Sequence, residues 1–487
     1  MLLTAELLLQ YQRCHRRAFL DLYGNKQELD PPSDFQLKLH QDRLTHQKTV
    51  LREQTYHKPD YPDRDWQAGA QATLSLMRQG VERIYKGILI TQVDENPFPS
   101  YQSPTPITLL SFPDLLVKQP GNSIFGNWCY IPVQIELGKR PKQEYKIGAA
   151  FHAYILTATQ GVKPPAAWLI LRERKPYLVP LENWLPQMQK FFQECSQTLQ
   201  QSETPEVFIS RQKCNLCHWY SSCYSVAKSQ EHLSLLPGVT PSRYSYLQQL
   251  NINSLESLAK ANFADLELAF GKEITEQLLR QAQAKLNNQV VFHPNSLINL
   301  PNSDVELYFD IESQPEEDFA YLLGVLIVDK KAQSQKFYAL LAEDLPEEEA
   351  TWQKFLNLVW DYPQAPIFHF CDYEVSMVKE LAKRYKTPNH LWQPLLNRLV
   401  DVHEKVTQAV TLPIESYSLK AIARWLGFNW RNPSASGSQA ICWYDEWLKT
   451  GDRTFLEKIV IYNEDDCFAT YLVKDWLNKT LEKNPTP

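Results

Sequence analysis

The spacing of apolar residues changes several times along the chain, and each change marks an element. Residues 1–10 are apolar apart from Thr4, Glu6 and Gln10, lack a basic lead and read as a first helix. Helical spacing runs through 34–57 and 63–86. Residues 107–118 and 128–137 alternate or run apolar between prolines and glycines, as strands do. A helical pattern returns over 144–157, and 166–172 reads as a strand.

The pattern shortens after residue 231. Leu235-Leu236-Pro237-Gly238-Val239 leads into brief helical segments at 242–250, 254–259 and 263–268. A Pro/Asn-rich link over 293–304, including Asn295 and Ser296, precedes a new start with strands at 305–311, 321–328 and 335–341. A helix at 347–360, a short strand at 367–370 and helices at 373–385, 419–426 and 454–477 follow. The expectation is a multidomain α/β protein divided at 1–230, 231–290 and 304–480.

Length supports that division, because 487 residues exceed one ordinary hydrophobic core. No apolar run approaches the roughly 20 residues of a membrane-spanning helix, so a cytoplasmic protein without membrane contact is expected. Nine cysteines, an odd number, favour metal ligation or free thiols over a disulfide framework. A net charge of -6 does not mark a nucleic-acid binder, although a whole-chain sum can conceal a basic groove beside clustered acids.

Two stretches carry recognisable chemistry. Cys214, Cys217 and Cys223 fall within ten residues, and Cys14 is available as the fourth ligand of a metal or cluster. Downstream, Asp310-Ile311-Glu312 sits in an apolar strand, where a period of two turns both carboxylates to one face. Burying such a pair is costly without a cation. Glu374 or its neighbour Asp372 supplies another acid at a strand-to-helix junction, and Asp401 a further one nearby. Tyr462 and Asp466, four apart, share a helical face. Four acids and a tyrosine suit phosphodiester hydrolysis with two divalent ions.

This second pattern resembles the DEDD exonucleases of the ribonuclease-H-like superfamily, in the variety whose third motif is Tyr-x-x-x-Asp. The resemblance covers 304–480. It implies that Asp310, Glu312, Glu374 and Asp466 bind Mg²⁺ or Mn²⁺ and that Tyr462 positions water. Ser416 to Gly427 resembles the region preceding that third motif. Glu374 departs from the Asp usual in the family.

The cysteine arrangement, one before and three after an α/β core, resembles RecB-type nucleases of the PD-(D/E)xK fold that carry a [4Fe-4S] cluster. A zinc site is the alternative. That resemblance implies an N-terminal nuclease site in which His46 and Asp114 match the early His and first acid, with Glu136 and Lys139 nearby. Gln134 and Glu136 do not match the family's Asp/Glu-x-Lys motif, and Gly148 and His152 stand where Gln and Tyr are usual. His46 as a plain helix residue is the competing reading. Trp219 and Tyr220 are candidates for base stacking or for core.

Residues 231–290 resemble helix-hairpin-helix modules, whose amides contact a phosphate backbone, or else form a plain helical linker. Together these features imply a metal-dependent nuclease, a 3′ to 5′ exonuclease acting on single-stranded DNA through its C-terminal domain. The alternative is a DNA-binding protein with degenerate nuclease folds. Nothing in the sequence specifies a protein partner.

Overall fold

The computed structural model describes residues 1–93, 107–172, 175–201, 203–294, 298, 300–314 and 318–483. Asn295 and Ser296 of the expected link lie outside them. The chain forms two compact units, Met1–Val226 and Ala227–Pro487. No helix among the described residues is long and apolar enough to cross a membrane.

In the first unit a five-stranded sheet has the order Arg83–Tyr85, Leu115–Ser123, Gly126–Glu136, Ala167–Leu171, Tyr177–Val179. Its two long strands form an antiparallel hairpin, and the second of them pairs in parallel with Ala167–Leu171. The helix Gln143–Gln160 makes that crossover. It is apolar almost all round, from Ile147 to Leu156, because the sheet and neighbouring elements enclose it. It ends at Gly161, whose φ of 71° closes the last turn.

Three expectations change here. The segment 1–10 divides into a strand, Leu2–Thr4, and a helix, Ala5–Arg13, because the Thr4 hydroxyl accepts the Leu7 amide at 3.1 Å and caps the helix. The strand expected at 107–118 is two strands in different sheets, Ile107–Ser111 and Leu115–Ser123. Pro113 lacks the amide needed to continue a ladder, and Asp114 is left at the break. The helix expected at 63–86 ends at Arg78; Gly80, at φ 68°, turns the chain so that Arg83–Tyr85 joins the sheet edge.

The second unit opens with short helices, Pro241–Gln249, Leu255–Ala259 and Phe263–Phe270, followed by the longer Lys272–Asn287. Its five-stranded sheet has the order Ser334–Leu341, Phe319–Asp329, Val305–Gln314, Ile367–His369, Leu399–Asp401. The first three strands are antiparallel and the last two join in parallel. Leu307, Phe309 and Ile311 of the central strand pack against Trp352, Phe355 and Met377 on one face. Tyr308, one residue out of phase, packs on the other face with the layer that includes Ile459, Cys467 and Val473 of the long helix Thr454–Lys483. The same alternation sends Asp310 and Glu312 toward that helix.

Candidate metal centre

Asp310, Glu312 and Asp466 each offer a carboxylate oxygen, and the three oxygens lie within 4.8 Å of one another. Among the described residues this is the one group of three or more His, Cys, Asp or Glu ligand atoms so closely gathered. Glu312 and Asp466 are buried and Asp310 is half-buried.

Two of the three acids, Asp310 and Asp466, are held by hydrogen bonds from neutral donors. Asn463 Nδ2 donates to Asp310 Oδ2 at 2.6 Å from the long helix. Trp430 Nε1 donates to Asp466 Oδ1, also at 2.6 Å. Trp430 belongs to a loop that Arg431 fastens to the same helix, through Asp465 at 2.7 Å and Glu464 at 2.6 Å. Tyr462 is buried, and its hydroxyl is hydrogen-bonded with Asp466.

Glu374 is buried at the start of the helix Tyr373–Arg384. Its Oε2 lies 3.6 Å from His369 Nδ1, whose proton goes to the Cys371 carbonyl at 2.7 Å. That Oε2 has no hydrogen-bond partner among the described residues. Asp372, the competing acid, is exposed. Asp401 is occupied in holding a turn, where Oδ1 accepts the amides of Cys371 and His403 at 2.9 and 2.8 Å.

Burial, then the charges of Asp466, Glu312 and Glu374, push Asp310 well above the usual carboxylate range. Glu312 is raised well above it for the same reasons, with Asp466 and Glu374 as its neighbours. Burial raises Asp466 to about 6, opposed by its hydrogen bonds from Trp430 and Tyr462 and by the Lys420 charge. Burial also raises Glu374, with His369 opposing, and raises Tyr462 so that the phenol keeps its proton. Carboxylates gathered this closely resist ionising together, and their all-oxygen donor set could hold Mg²⁺ or Mn²⁺, whose charge would offset theirs.

The first unit places its expected residues differently. Asp114 and Glu136 are both buried, but Asp114 is already satisfied: Gln47 Nε2 donates to Oδ1 at 2.9 Å and the Ile135 amide to Oδ2 at 2.8 Å. Arg43 stands 3.9 Å from Glu136, which burial nonetheless pushes to about 7. His46 is hydrogen-bonded to the backbone of Ile170. Lys139 is half-buried in the turn after the strand. Gln134 packs beside Gly148, where a Cβ would lie 3.3 Å from its side-chain oxygen. His152 is buried against Ser111 Oγ at 2.6 Å, and burial holds it neutral, lowered to about 3.

Cys14, Cys214, Cys217 and Cys223 line one pocket together with Arg13, Arg16, Arg17 and Lys213. All four are half-buried free thiols. Burial raises Cys214 to about 11 and raises Cys217 and Cys223, while Arg16 opposes the rise at Cys223. Asp21 fixes the segment by accepting from His218 Nε2 at 2.7 Å and Trp219 Nε1 at 2.8 Å. Trp219 is fully buried and is core; Tyr220 is exposed and stacks on Tyr224.

Fold and acids together define a nucleic-acid-processing class. A family model described as the RNase_H superfamily matches residues 307–478, which span Asp310, Glu312, Glu374, Tyr462 and Asp466. The C-terminal part of the chain is therefore RNase H-like, and it points to a nuclease-type function on nucleic acid with divalent metal ions. No curated protein matches the sequence.

Proposed function

We propose that the protein is a metal-dependent exonuclease that trims single-stranded DNA from the 3′ end in its C-terminal domain. The observation that carries this reading is the convergence of Asp310, Glu312 and Asp466 on one face of strand and helix. With Glu374 beside them, these residues would hold two Mg²⁺ or Mn²⁺ ions. Bound ions would offset the carboxylate charges, make water a stronger nucleophile and stabilise the departing oxygen. The protonated Tyr462 hydroxyl, beside Asp466, orients the attacking water. Asn463 and Trp430 keep Asp310 and Asp466 in position, so little reorganisation accompanies reaction.

The first unit is proposed as a PD-(D/E)xK-type domain that grips nucleic acid without cutting it. Gln47 and the Ile135 amide occupy Asp114, and neutral Gln134 is a poor Mg²⁺ ligand. Its four cysteines suit a [4Fe-4S] cluster. Tetrahedral zinc with Zn–S of about 2.3 Å would draw sulfurs to about 3.8 Å of one another. A cubane instead attaches each thiolate to a different iron. The four basic side chains around the pocket offset the cluster's charge. A reducing, cytoplasmic setting fits such a site. The helices after residue 240 fit a helix-hairpin-helix role on the phosphate backbone.

The test is cleavage of 5′-labelled single-stranded DNA and RNA by the purified full chain with Mn²⁺. A ladder shortening from the 3′ end, abolished in Asp310→Ala, is expected. Salt-dependent binding with no cleavage would overturn the nuclease reading in favour of a binding protein.

A further inference from the structure

We propose that Lys420 contacts a non-bridging oxygen of the scissile phosphate, a role that rests on the nuclease reading above and adds a residue to its site. Lys420 lies in the first turn of the helix Leu419–Trp425. Its ammonium stands over two aromatic faces, 5.1 Å from the Tyr462 ring centroid and 5.3 Å from that of Trp430, and it donates to the Ala435 carbonyl. Both rings touch the acid cluster through Asp466. The charge is felt at Asp466 and Glu312, yet among the described residues Lys420 makes no carboxylate ion pair within 4.0 Å.

A lysine near several carboxylates would ordinarily collapse onto one of them. Here two π faces and one carbonyl hold it back, leaving N–H donors uncommitted. Cations bound by the acids would take up the carboxylate charge. The remaining anion for a half-buried ammonium at this edge is the phosphate of the strand itself.

Three proteins, wild type, Lys420→Met and Lys420→Arg, separate this from a supporting role. Thermal melting first establishes that the variants fold. At saturating Mn²⁺, Lys420→Met should lower kcat/KM by about 10- to 100-fold, as expected for loss of a charged hydrogen bond, and Lys420→Arg should recover most of it. Mn²⁺ affinity should be unchanged or tighter in Lys420→Met, because a neighbouring cation is gone. A binding series in Ca²⁺ needs no turnover: Lys420→Met should weaken binding of an ordinary oligonucleotide, with no difference from wild type for one carrying a neutral methylphosphonate at the terminal linkage. Wild-type cleavage and binding by Lys420→Met at saturating metal would overturn the proposal, as would equal weakening on both oligonucleotides. If wild type does not cleave, the nuclease reading fails, and the binding series still decides the phosphate contact.

Discussion

Asn463 Nδ2 reaches Asp310 Oδ2 at 2.6 Å because Gly324 faces Asp310 on the adjoining strand. A Cβ on Gly324 would fall 1.6 Å from Asn463 Oδ1, so any larger residue displaces the amide that holds the acid. Gly324→Ala is expected to cost about 1–3 kcal/mol in urea denaturation, the usual range for overpacking. It should also reduce cleavage at saturating Mn²⁺. Asn463→Ala, which frees the space, should spare more stability while still reducing cleavage.

Trp430→Phe keeps an aromatic ring but removes the donor to Asp466. That hydrogen bond lowers a carboxyl which burial has already raised to about 6. Its loss should raise Asp466 further and move the acid limb of the pH–rate profile upward by about one unit at subsaturating Mn²⁺. An unmoved limb would mean that Asp466 does not govern it.

The acids were legible because their spacing is local. Asp310 and Glu312 need only the period of a strand, and Tyr462 and Asp466 only that of a helix. Gly324, Trp430 and Lys420 were not, since their meaning depends on which distant segments the fold brings against one helix. Asn463 stood beside Tyr462 in the sequence, but its partner lies 153 residues away. In the first unit the same limit applied: Gln47, next to the expected ligand His46, is the residue that reaches Asp114. Elsewhere apolar spacing ran past real breaks, at Gly80 and Pro113, where a single backbone property outweighed the pattern.

Metal binding should depend on pH in a definite sense. Asp466 has a folded value of about 6, above its ordinary 3.8. Without metal its contribution to stability is therefore full below about pH 4 and is lost as pH rises through 6. Mn²⁺ requires the ionised form, so it competes with protons below 6 and stabilises above it. The increase in Tm on adding Mn²⁺ should be small at pH 5 and large at pH 8, and Asp310→Asn should diminish it at both.

Cys14 joins the two ends of the first unit's sequence at one pocket, so its loss should match that of a cysteine in the later segment. Protein prepared without oxygen is expected to be brown. Cys14→Ser and Cys217→Ser should both lose iron-sulfur absorption and expose residues 203–226 to protease. A colourless, zinc-containing preparation would refute the cluster. Asp21→Ala should loosen the segment while leaving the four thiols, because Asp21 anchors His218 and Trp219 independently of any metal.

Asp114 and Asp310 look alike in sequence, each an acid beside a hydrophobic strand, but their surroundings predict opposite phenotypes. Asp114 accepts from Gln47 and from the Ile135 amide, so both oxygens support the packing of helix on sheet. Asp114→Ala strands two buried donors and should cost about 1–3 kcal/mol for each, with cleavage retained in the molecules that remain folded. Asp310 sits among Glu312, Asp466 and Glu374, whose mutual repulsion its removal relieves. Asp310→Ala strands the Asn463 amide but relieves that repulsion, so the metal-free protein should lose less stability than in Asp114→Ala, and cleavage should be abolished. Urea unfolding and single-strand cleavage on the two variants would test this; loss of cleavage in a stably folded Asp114→Ala would place chemistry in the first unit after all.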